Sequence, residues 1–212
     1  MDAALIARQG AVSPVPSSTF STATTLKAST SSFSFPSPTS YPPFYTLQPN
    51  LTTRAKQLTY WSQLVVSYAQ YHRLFKLSLS TPPPGLFNSP TLPRSLSPSD
   101  IRLLLDWMSE PANGSKIEWI PAASRITNSE TCWVYWKSLG EWADELYAWV
   151  VEETGQKGAV LTVYELREGE QTKRCAWYGM DEDLLKKVLQ VLVKRGKVQI
   201  FGQDEEAGVK FF

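Results

Sequence analysis

Leu58, Trp61, Val65, Tyr68 and His72 recur at three- and four-residue steps, the spacing of one face of a helix, and predict a long helix over Thr52 to His72. Phe75, Leu77 and Leu79 then alternate with Lys76 and Ser78, the period-two signature of a short strand. Six prolines follow between Pro82 and Pro98, which no helix interior or central strand tolerates, so a loop is expected there. Ser97-Pro98-Ser99-Asp100 starts a second helix, with a capping serine, proline at the first helical position and Ile101, Leu104, Leu105 and Met108 as its apolar stripe. Residues 117–120 and 131–136 are aromatic-rich strands on either side of a polar loop.

The pattern then restarts. Ser138 with Glu141 forms a capping box before Trp142, Leu146, Trp149 and Val150, and Gly155 ends that helix. Thr162 with Glu165 opens a short helix that Gly169 stops, and Asp181 is expected to cap a third, whose inner face is Leu184, Leu185, Val188, Val191 and Leu192. Strands over 198–201 and 209–212 close the chain. Helices followed by a terminal hairpin, written twice, predict an α+β fold of two tandem winged-helix domains, 41–139 and 140–212.

Residues 1–40 hold 20 Ser, Thr or Pro and three charged side chains. So few large apolar groups cannot offset the entropy of ordering, and a disordered tail is expected, with Ser13-Pro14 and Ser37-Pro38 as phosphorylation sites. At Tyr41-Pro42-Pro43-Phe44-Tyr45 aromatics meet prolines whose φ is fixed near −65°. Such a segment is expected to be pre-extended and to lose little entropy on docking into an aromatic-lined groove of another protein. Pro42-Pro43-Phe44-Tyr45 matches a WW-domain ligand pattern; the alternative is that Phe44 and Tyr45 fold back on their own domain.

Charge narrows the functional classes. The chain has 21 Lys plus Arg and 20 Asp plus Glu, net +1, so no global field steers it to nucleic acid or anionic lipid. Residues 140–212 carry 10 basic against 14 acidic side chains, which argues against a DNA-reading third helix despite Lys186, Lys187, Lys194 and Arg195. One histidine, His72, and two cysteines, Cys132 and Cys175, without a paired spacing, predict no metal site, and buried thiols in a reducing compartment. No nucleophile motif or phosphate loop is present, so no catalytic residue and no cofactor are expected. No apolar run is long enough to span a bilayer. Protein binding is left, and the eight tryptophans favour it as interface anchors; the alternative is that domains this small use tryptophan as core filler.

At Tyr41 to Asn50 (YPPFYTLQPN), Thr53-Arg54, Gln57-Leu58, Trp61, Lys116 to Trp119, Glu141-Trp142, Leu146 to Trp149, Thr162 to Leu166 and Gly208 to Phe212, the chain resembles the family of the small subunit of ESCRT-II. The resemblance runs through residues 41–212. It implies two winged-helix domains, no catalysis and no cofactor, in a Y-shaped complex holding two copies of this subunit and one each of two larger ones, vacuolar protein sorting-associated proteins 22 and 36. It further implies that Pro42, Pro43, Phe44 and Tyr45 dock on those larger subunits. The second domain would hold the ESCRT-III subunit vacuolar protein sorting-associated protein 20, with Val160, Leu161 and Thr162 as its contact. The implied role is sorting of ubiquitinated cargo into multivesicular endosomes by a cytoplasmic protein that reaches the endosomal membrane indirectly. Some relatives carry two proline-proline motifs of this kind; here there is one.

Overall fold

The computed structural model of the chain describes residues 33–122, 129–202 and 207–212. The expected tail lies outside them up to Ser32, so Ser13-Pro14 is not described. Residues 33–40, placed in that tail by composition, fold against the first helix: Phe33 meets Phe35 and Tyr68 edge-on at 5.0 and 5.2 Å between ring centroids. A 3-10 turn over Ser37–Ser40 buries Thr39.

Helix α1 (Leu51–His72) begins at Asn50, whose side chain accepts from the Thr53 N–H. Strand β1 (Lys76–Ser78), helix α2 (Pro98–Ser109) and strands β2 (Ile117–Trp119) and β3 (Thr131–Val134) complete the first lobe. Its sheet is antiparallel in the order β1-β3-β2, so the expected hairpin gains a third strand. The second lobe repeats the order: α3 (Leu139–Ala148), β4 (Val160–Thr162), α4 (Val163–Glu168), α5 (Glu182–Lys194), β5 (Val198–Phe201) and β6 (Gly208–Phe211), with sheet order β4-β6-β5. Each lobe is a winged helix. In the first, the proline-rich stretch stands where the second has α4, because prolines that lack N–H donors cannot build that turn. Leu86, Phe87 and Leu96 fill the place from this stretch.

The two lobes share a strand. In β3 and the residues after it, Cys132 and Val134 belong to the first core while Trp133 and Tyr135 belong to the second, together with Phe75. Alternation along an extended chain sends neighbours to opposite faces, and here both faces are covered. That accounts for the run of apolar residues 132–136, which a wing facing water would not need. The expected boundary at 139–140 therefore separates two sets of helices without separating two cores.

Tryptophan proves to be core material. Trp61, Trp142, Trp177 and Trp133 are 0–5% exposed, and the other four are partly buried against the two cores. Of the two readings, interface anchor or core filler, the structure takes the second: in lobes this small their large apolar area is needed inside. His72, at the end of α1, is exposed and stacks loosely on Tyr68 at 4.2 Å. Asp181 stands at the start of α5 but makes no side-chain cap bond, its carboxylate being drawn to the first lobe.

Candidate partner-binding sites

The proline-aromatic segment is not extended. Pro42–Tyr45 forms a 3-10 turn entered from an extended Tyr41, because proline's φ suits a tight helical turn as well as it suits polyproline. The turn drives Phe44 and Tyr45 inward. Phe44 stacks on Trp61 at 4.4 Å with the rings 13° apart, and Tyr45 meets the same indole edge-on at 5.7 Å. Phe44 is 6% and Tyr45 4% exposed, so a WW-type reading of this tyrosine is not available to the folded chain. Tyr41, Pro42 and Pro43 face outward, Tyr41 being 64% exposed.

Proline removes donors but leaves carbonyls, and buried carbonyls need partners. Gln57, a buried polar side chain on the inner face of α1, supplies them. Its amide donates to the carbonyls of Phe44, Thr46 and Pro43 at 2.9, 3.0 and 3.3 Å. Its oxygen accepts the Gln48 N–H at 3.1 Å. Trp61 Nε1 adds a second donor to the Phe44 carbonyl at 3.0 Å, and Arg54 Nε holds the Gln48 carbonyl at 2.8 Å. The Tyr45 hydroxyl donates to the Thr39 carbonyl at 3.0 Å; burial pushes its pKa up, with the Ser89 side chain pulling slightly the other way. Gln57 is the residue that pattern reading missed as a positioning residue, although a glutamine one step before Leu58 on an apolar stripe was the available signal.

The second expected site lies on β4, an edge strand. Val160 is 58% exposed, while Leu161 and Thr162 are half-buried. Thr162 is committed locally: its Oγ1 accepts the Glu165 N–H at 3.1 Å and Glu165 returns a carboxylate to the Thr162 N–H at 2.7 Å, the reciprocal capping box. Across the sheet Val160 pairs with Lys210 and Thr162 with Gly208. A Cβ at Gly208 would stand 2.9 Å from Val160 Cγ1, so glycine lets β4 and β6 close up beside the exposed valine.

Elsewhere the chemistry is quiet. On α5, Lys186 pairs with Glu182, Lys187 with Glu118, and Arg195 with Asp144 beyond the helix end, which uses cations that a nucleic-acid reader would keep for phosphates. Burial raises the Cys132 thiol to about 12 and the Cys175 thiol to about 11, so neither is a thiolate near neutrality. Among the described residues no cluster of side chains could hold a metal ion, and no helix is long and apolar enough to cross a membrane.

Comparison with known proteins gives one answer throughout. A family model described as ESCRT-II complex subunit matches residues 39–181. The chain is 35% identical over 182 residues to vacuolar protein-sorting-associated protein 25 of Danio rerio, covering 85% of this chain and 99% of that one. To the protein of the same name in Homo sapiens it is 34% identical over 182 residues, with 85% and 98% covered. A crystal structure of subunit VPS25 of the endosomal trafficking complex ESCRT-II is similar with a TM-score of 0.70 at 28% identity, over 84% of this chain and 98% of the other. A chain in the crystal structure of the endosomal complex ESCRT-II (VPS22/VPS25/VPS36) has the same TM-score and identity, with 83% and 98% covered.

Proposed function

This chain belongs to the ESCRT-II complex subunit family, and from that premise we propose that it is a non-catalytic adaptor joining the ESCRT-II core to ESCRT-III during sorting of ubiquitinated cargo to multivesicular endosomes. Its partners in the core are the two larger subunits, vacuolar protein sorting-associated proteins 22 and 36, named alongside the similar solved subunit. Two copies of this chain enter each complex. The first winged helix, 41–139, docks on the larger subunits and the second, 140–212, takes the ESCRT-III subunit vacuolar protein sorting-associated protein 20. The protein works in the cytoplasm and meets the endosomal membrane only through its partners.

One observation supports the first contact above all: Pro42 and Pro43 stand outward on a turn whose backbone Gln57 and Trp61 hold from beneath. A preordered proline pair loses little entropy on docking. Pro42 and Pro43 then touch the larger subunits, and Phe44 and Tyr45 anchor the turn to its own lobe. For the second contact the support is the exposed Val160 on the edge strand β4, with Leu161 and Thr162 setting its position.

Co-expression with both larger subunits tests the reading. Pro42→Ala with Pro43→Ala is expected to cut co-purification at least about tenfold, a loss of about 1.4 kcal/mol, with the melting temperature of the isolated chain unchanged. Undiminished co-purification would remove the first site. Native mass spectrometry of the purified complex decides the two copies, and Val160→Asp is expected to abolish capture of the ESCRT-III subunit without disturbing the core.

A further inference from the structure

The proline-rich stretch has a structure and no role in the function above. Within it the chain doubles back: the Leu96 N–H donates to the Phe87 carbonyl at 2.9 Å, the Ser89 N–H donates to the Arg94 carbonyl at 2.8 Å, and Asn88 bridges Ser95. Pro90 and Pro93 lie in the tip. Ser89, directly before Pro90, points its hydroxyl at the N-terminal segment, donating to the Thr39 carbonyl at 3.1 Å. That carbonyl also takes the Tyr45 hydroxyl, and Thr39 is 2% exposed. One serine therefore fastens the loop to the segment that leads into the Pro42–Tyr45 turn.

Ser89 Oγ has backbone donors of its own loop beside it, and an arginine stands opposite its residue in the small hairpin. The oxygen already accepts from the N–H groups of Leu92 and Thr91 at 3.1 and 3.4 Å. Opposite it across the small hairpin is Arg94, exposed and in no ion pair among the described residues. Residues facing each other across such a pair have side chains within reach. Two backbone donors and a guanidinium are what a phosphate monoester needs.

We propose that Ser89 is a phosphorylation site for a proline-directed serine kinase, and that the phosphate, received by Thr91, Leu92 and Arg94, releases the 37–46 segment. The kinase transfers the γ-phosphoryl group of ATP: a bond forms from phosphorus to Ser89 Oγ, the bond to the ADP oxygen breaks, and the hydroxyl proton passes to the kinase base. Phosphoserine has no hydroxyl to give Thr39 and carries close to two negative charges beside Tyr45. Of the other described serine-proline pairs, Ser97 already accepts the Asp100 N–H as the cap of α2, next to a carboxylate. Ser37 is exposed at the start of its turn, and its hydroxyl ties no second segment to the fold. Ser89 alone among the three couples modification to the turn.

The test treats the purified full chain with a proline-directed kinase and magnesium ATP, maps phosphate by mass spectrometry and follows hydrogen exchange. Phosphate is expected at Ser89, with exchange in residues 37–46 rising about tenfold over the untreated chain. Ser89→Ala is expected to take no phosphate in this loop; should it fold poorly, Ser89→Asn keeps a donor toward Thr39 and serves as the control. Arg94→Ala is expected to accept phosphate and release the segment less. Phosphate confined to other serines, or phosphorylated Ser89 with unchanged exchange over 37–46, would overturn the proposal.

Discussion

The Lys76 ammonium lies 2.6 Å from the Asp181 carboxylate, which pins β1 of the first lobe to the start of α5 in the second. Trp133 Nε1 donates to the same carboxylate at 3.2 Å. Beside it Lys187 sits 4.2 Å over the Trp133 ring and bonds Glu118, which also accepts the Tyr135 hydroxyl at 2.7 Å. Ion pairs and a shared strand thus join the two lobes.

The network carries a pH signature. Burial alone would raise the Asp181 carboxyl, but the bonds from Lys76 and Trp133 bring it below its ordinary value. In Glu118 burial is likewise outweighed by the bonds from Lys187 and Tyr135. A carboxyl with a depressed folded pKa adds stability above its unfolded pKa and loses it as pH falls through the folded one. Melting temperature is therefore expected to drop below about pH 4, and Asp181→Asn with Glu118→Gln should make that drop shallower. An equally deep acid transition in the double variant would assign the loss to other carboxyls.

Gln57→Leu removes both donors and the acceptor from a buried set of backbone groups, and is expected to cost about 2–3 kcal/mol in urea unfolding. Gln57→Glu should cost at least as much, since it turns a carboxylate toward three carbonyls.

Phe44→Ala opens a cavity against Trp61 and is expected to lose about 3 kcal/mol, with Trp61 emission shifted to the red. Pro42→Ala, on the outward face, should stay within about 0.5 kcal/mol of the parent. Equal losses for both would mean that the turn does not divide inner from outer residues in this way.

Gly208→Ala places a methyl against Val160 and is expected to cost about 1 kcal/mol. Val160→Ala in the same chain should recover most of that, a coupling read from a double-mutant cycle.

At pH 7 both thiols are protonated, so iodoacetamide should label slowly. Cys175, half-buried, is expected to react before Cys132, which is buried; intact-mass kinetics give the order.

How much was legible depends on the range of the interaction. The helix starts at Ser97, Ser138 and Thr162 appear where they were expected because each cap bonds a residue three positions on, inside a window that a pattern can see. Asp181 makes no cap bond of that kind and feels the Leu184 N–H least among its partners, since Lys76 and Trp133 offer a cation and an indole donor that only folding brings near. Of the expected core-subunit contacts, Pro42 and Pro43 are outward and Phe44 and Tyr45 inward, a division that no residue count along the chain contains.

The amino-acid order by itself determined the main helices, the caps at Ser97, Ser138 and Thr162, the wing strands, the winged-helix repeat and the absence of a nucleophile motif, all of them properties of spacing and residue type. Tertiary structure alone decided that the proline-aromatic segment turns inward onto Trp61, that Leu86, Phe87 and Leu96 of the proline-rich loop enter the first core, and that β3 serves two cores. The physical reason is that these depend on which distant surfaces meet: an aromatic ring is buried as readily in its own lobe as in a partner, and only the presence of Gln57 and Trp61 beneath the turn settles which.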